Sequence, residues 1–79
     1  MNLTTLPLLK ANKEKINGMY ILKTEGGYNL VAKLKEYPDS AVCTTRNPFT
    51  ARVYRTIGAA ANHAASLGFT NTEVHLNVV

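Results

Sequence analysis

The sequence predicts a small α+β domain: a three- to four-stranded, mainly antiparallel sheet with one amphipathic helix packed on one face. Three observations carry that reading. Tyr28–Tyr37 alternates, with Tyr28, Leu30, Ala32 and Leu34 on one side and Asn29, Lys33 and Lys35 on the other, as a half-buried strand does. Between Asn47 and Phe69, the residues Phe49, Val53, Ile57, Ala60, Ala64 and Leu67 recur every three or four positions and form one helical stripe. Thr72–Val79 alternates again, with Val74, Leu76 and Val78 inward and Glu73, His75 and Asn77 outward. An isolated helix cannot bury such a stripe, and the flanking strands supply the surface it needs.

The expected element order is α-β-β-β-α-β. Residues 1–16 form an N-terminal helix or arm that packs on the domain or on a partner. In the helical reading Thr5 is the cap and Pro7 sits in the first turn. In the other, Leu3–Leu9 is an extended arm that adds an edge strand, here or in another molecule. Asn17-Gly18 ends this element. Met19–Thr24 is a strand, Glu25-Gly26-Gly27 a tight turn and Tyr28–Tyr37 the partner strand of a hairpin. Pro38-Asp39 breaks it. Ser40–Thr45 is a short third strand. Asn47 caps the long helix with Pro48 at its first position, Thr50 being a later alternative, and Gly68 ends it.

The chain has 79 residues, of which 46% are hydrophobic and 18% charged, enough for one folded domain over 1–79 and no more. The formal charge is +4. Residues 1–37 hold six lysines against Glu14, Glu25 and Glu36, and residues 38–79 hold three arginines against Asp39 and Glu73. This basic balance admits an acidic partner surface or a nucleic acid, yet no run is dense enough to be a patch. A single cysteine excludes an internal disulfide and thiolate zinc sites and suits a reducing compartment. No apolar run spans a bilayer, and Met1–Leu9 lacks the pattern of a signal peptide, so a cytoplasmic protein without a membrane partner is expected.

The chemistry-bearing residues do not assemble a reaction centre. Cys43 lies among β-branched residues and reads as a small hydrophobe, while His63 and His75 read as surface residues. These three have no metal-ligand spacing, and the acids are scattered. Glu25-Gly26-Gly27 lacks the later glycines and the lysine of a phosphate loop. A non-enzymatic protein with no cofactor and no metal follows.

Binding is the better class. Lys23, Lys33 and Lys35 offer a basic sheet face, on which Val31 is an apolar exception suited to contact. Arg46, Arg52 and Arg55 gather about the helix start, and Tyr54 lies half exposed on its flank. Gly58, Ala61 and Ala65 form a smooth second helix side that either packs closely on the domain's own sheet or is an association surface. Tyr28 and the alanine-rich run Ala60–Leu67 give the layout a resemblance to small bacterial domains built as a hairpin, an alanine-rich helix and a closing strand. The layout also looks like that of some small phage-encoded inhibitors of host defence. That likeness implies action by occupying a surface of a larger complex. The leading expectation is therefore a protein-binding module, an inhibitor or accessory subunit that engages another protein or itself. A nucleic-acid-binding module using the sheet lysines and helix-start arginines is the second reading. A structural subunit of a homo-oligomer is the third.

Overall fold

The computed structural model describes residues 2–76. In chain order it contains β1 (Asn2–Thr5), α1 (Leu6–Ala11), a 3-10 turn (Lys13–Lys15), β2 (Ile16–Thr24), β3 (Gly27–Leu34), β4 (Ser40–Cys43), α2 (Ile57–Ser66) and β5 (Glu73–His75). The strands make one sheet in the order β1-β4-β3-β2-β5. β3 is antiparallel to β2 and β4, while β1 joins β4 and β5 joins β2 in parallel. The α+β class holds, with five strands in a mixed sheet. α1 leads from β1 to β2 and α2 from β4 to β5, and each crossover leaves the two strands it joins parallel but not adjacent in the sheet.

Both readings of the N-terminus are realised in succession. Asn2–Thr5 is an edge strand, and Thr5 then caps α1, its hydroxyl accepting the Leu8 N–H at 3.4 Å with Pro7 in the first turn. Asn17-Gly18 does not end an element. The pairing register shifts between Ile16 and Gly18, so the pair sits at a bulge inside a β2 that starts at Ile16 rather than Met19. The hairpin turns at Glu25-Gly26, where Gly26 has φ +85°. β3 stops at Leu34, short of Tyr37, because Glu36 takes a left-handed conformation with φ +66° and swings the chain away.

Each sheet face carries its own apolar cluster. Met19, Ile21, Leu30, Ala32 and Val42 face the helices and pack with Leu9, Ala60, Ala64 and Leu67. On the opposite face Tyr20, Val31 and Ala41 are buried with help from Leu3, Leu22 and Ala51. Val31 is thus fully buried rather than presented for contact.

The largest departure from expectation is the helix start. α2 begins at Ile57, ten residues beyond Asn47, and Thr56 caps it by accepting the Ala59 N–H at 3.1 Å. Thr50, Val53, Tyr54 and Thr56 are β-branched or aromatic and weakly helical, whereas Ala59–Ala61 and Ala64-Ala65 are the best helix formers. The stripe survives only as Ala60, Ala64 and Leu67; Ile57 is 37% exposed, and Phe49 and Val53 are not helical at all. Gly68, at φ +93°, follows the last turn as expected.

β4 ends at Cys43, before Thr45, and the Arg52–Tyr54 backbone takes over alongside it. β5 covers only Glu73–His75 of the expected Thr72–Val79. Val74 and Leu76 are exposed because α2 lies mainly over β2 and β3; Val78 falls outside the described residues. Among the described residues no helix is long and apolar enough to cross a membrane.

Candidate functional site

Residues 44–56 connect β4 to α2 without regular structure, yet hydrogen bonds brace the first part of the loop internally and tie its later part to the sheet. At the start, the Asn47 N–H donates to Thr44 Oγ1 and Asn47 Nδ2 donates to Thr50 Oγ1, each at 3.0 Å. At the end, the Arg52 N–H donates to the Val42 carbonyl at 2.8 Å. Tyr54 exchanges two backbone hydrogen bonds with Tyr28 at 2.7 and 2.9 Å, and Asn29 Nδ2 donates to the Arg52 carbonyl at 3.0 Å. Gly27 makes this docking sterically feasible. A Cβ there would overlap the Tyr54 carbonyl oxygen and stand 2.8 Å from Val53 Cγ1.

Within this loop Phe49 stands 86% exposed, and Val53 is half exposed. Arg46, Arg52 and Arg55 are exposed in the same stretch. No acidic residue occurs from Ser40 to Thr72. A held loop carrying an aromatic side chain and several arginines has the composition of a binding hot spot.

Behind the loop lies a polar cluster built on Tyr54. Tyr54 is not on the helix flank, because the helix starts after it; it is 3% exposed, in the helix-side core. Its hydroxyl shares a 2.8 Å hydrogen bond with His63 Nδ1, and the two rings meet edge to face at 5.1 Å. The Arg52 guanidinium stands over the Tyr54 ring at 4.9 Å from its centre. Burial raises the Tyr54 pKa, with Arg52 opposing the rise. Burial lowers the His63 pKa, and the positive charges of Arg52 and Lys10 push the same way, disfavouring the charged ring.

A second polar cluster crosses the other face. The rings of Tyr20 and His75 stack at 4.5 Å, and the Tyr20 hydroxyl donates to Asp39 Oδ2 at 3.1 Å. Burial and Asp39 raise the Tyr20 pKa. His75 Nε2 meets Glu73 Oε2 at 3.2 Å and Lys33 Nζ lies 3.8 Å from the same oxygen, which lowers the Glu73 pKa. This cluster fastens the three-residue β5 to the sheet, its charges satisfying one another.

The expected basic sheet face is not one surface. Lys23 lies over the Tyr28 ring at 4.7 Å on the helix side, whereas Lys33 lies over Tyr20 at 5.6 Å on the other. Lys35 is exposed beyond the end of β3. Of the small-residue side, Gly58 and Ala65 are exposed and only Ala61 packs against the core. A Cβ at Gly58 would meet nothing closer than Thr56 Oγ1 at 4.0 Å, so close packing on the sheet does not explain this glycine. Cys43 is buried as a free thiol. Among the described residues no group of three His, Cys, Asp or Glu side chains could hold a metal ion. The pairings of His63 with Tyr54 and of His75 with Tyr20 went unforeseen. Only the outward position of His75 on its strand hinted at the second.

The fold and these surfaces define a small two-layer α+β domain with a mixed five-stranded sheet and an aromatic, cationic loop held beside it. The chain matches no family model, no curated protein and no solved structure.

Proposed function

We propose that this is a non-enzymatic protein-binding module that works, as an inhibitor or accessory subunit, by occupying a surface of a larger protein in the cytoplasm. The contact is residues 44–56, with Phe49 as the apolar anchor and Arg46, Arg52 and Arg55 around it. The observation that carries this reading is Phe49, 86% exposed on a loop braced by local hydrogen bonds and tied to the sheet at Arg52 and Tyr54. Preordering reduces the entropy lost on binding, and aromatic and arginine side chains dominate interface energies.

A nucleic-acid reading has support in the same arginines and in the stacking capacity of Phe49. It is the weaker reading because Lys23 and Lys33 lie on opposite faces over tyrosine rings and do not extend the arginine region. A homo-oligomer through this loop brings like charges together.

The test is affinity capture from the source cell with the wild type and Phe49→Ala, with and without nuclease. Recovery of one stoichiometric protein by the wild type, unaffected by nuclease and lost with Phe49→Ala, is the expected result. Equal recovery by both, or material that nuclease removes and whose binding falls steeply with salt, contradicts it.

A further inference from the structure

We propose that the basin where β2 and β5 begin binds a small zwitterion, an α-amino acid with an apolar side chain. The site is separate from residues 44–56 and does not rest on the protein-binding reading. The cavity has a volume of about 370 Å³ and lies between the start of β2, the end of β3 and the connection from α2 to β5. That volume is within the range of small-molecule sites. Lys33 and Glu73 stand in its wall, with Lys33 Nζ 3.8 Å from Glu73 Oε2. Met19 and Phe69 add apolar surface, and Thr70 and Asn71 add a hydroxyl and a carboxamide.

The local sequence keeps these groups open to the basin. Gly18, beside the bulge in β2, is the cross-strand partner of Lys33 and brings no side chain to cover it. A Cβ there would touch Lys33 Cδ at 4.0 Å. Gly68, at φ +93°, turns the chain out of α2 toward β5. His75 Nε2 donates to Glu73 Oε2 at 3.2 Å and braces the carboxylate. A charge-assisted N–H···O bond is about 2.7–2.9 Å long, so at 3.8 Å Lys33 and Glu73 are adjacent without being joined by one. A simple anion here would be opposed by Glu73, and a simple cation by Lys33. An α-amino acid carries its ammonium and carboxylate on one carbon and matches both. Its carboxylate meets Lys33, its ammonium meets Glu73, and its side chain faces Met19 and Phe69.

The experiment is an NMR titration of the full chain with L-leucine, with isocaproate and isoamylamine as arms that each lack one of its two charges. Saturating shifts at the Gly18, Phe69 and Asn71 amides are expected, with each analogue binding at least about tenfold more weakly, as loss of one charge-assisted hydrogen bond predicts. Lys33→Gln should weaken leucine binding by a similar factor. Lys23→Gln should leave it unchanged, because Lys23 lies over Tyr28 on the helix side. Absent or non-saturating shifts overturn the site, as does equal weakening by Lys23→Gln. Either analogue binding as tightly as leucine overturns the zwitterion assignment. Glu73→Gln should also weaken binding, but it removes a contact that holds β5. Should it unseat that strand, the analogues decide, since they leave the chain intact.

Discussion

The hairpin of β2 and β3 and the connection from residue 44 to residue 56 are neighbours in space and opposites in construction. In the hairpin Ile21, Leu30, Val31 and Ala32 are fully buried, and both strands have a paired strand on each side. In the connection only Tyr54 is buried, and a few hydrogen bonds brace it locally and tie it to the sheet at Arg52 and Tyr54. Stability is thus concentrated in one region, and the other is left to present side chains. Binding surfaces are drawn from such regions because their residues are not committed to the core.

Breaking the hairpin should have the largest effect. Leu30→Ala removes a fully buried side chain facing the helices and should cost about 2–5 kcal/mol, measured by urea unfolding. Gly27→Ala attacks the seam between the two regions, because its Cβ would meet the Tyr54 carbonyl. A loss of about 1–3 kcal/mol is expected, with weakened amide protection at Tyr54.

The pH dependence should come next. The folded pKa of His63 lies below its unfolded value of about 6.5, so the unfolded chain takes up this proton first. The contribution of His63 to stability is complete above that pH and is lost as pH falls through the lower folded value. His63→Gln should flatten the profile in this window, and a profile unchanged by the substitution removes the lowered His63 pKa from the account.

Ile57→Asp should have the smallest effect, within about 1 kcal/mol, because an acid in the first helical turn gains from the helix dipole what it loses in contact. Leu67→Ala, at the buried C-cap of the same helix, should cost more than that, about 2 kcal/mol.

What was legible in the sequence follows the same division. Alternation over Tyr28–Leu34, the turn glycine Gly26, the Thr5 cap and the Gly68 stop are local signals, and each is realised. Phe49 and Val53 share the spacing of Ile57 and so extended the helical stripe falsely. Thr56 ahead of an alanine run was the better start signal, and the β-branched residues before it argued for extended chain. Arg52 is exposed, as its residue type suggests, whereas Tyr54, expected half exposed on a helix flank, is buried in the core ahead of the helix. The contacts of Tyr54 with Arg52 and His63 were not legible, since they depend on Tyr54 pairing with Tyr28, a contact no periodicity encodes. Val31 was misplaced for the same reason: Leu3 and Ala51, which help enclose it, come from distant segments.

Amide hydrogen exchange across residues 44–60 tests the central claim most directly. The Arg52 and Tyr54 amides, bonded to the Val42 and Tyr28 carbonyls, should be protected, while the Phe49 amide exchanges freely. Continuous protection from Phe49 into Ala60 would mean that the segment is helical after all and that Phe49 belongs to the core stripe, contradicting the account.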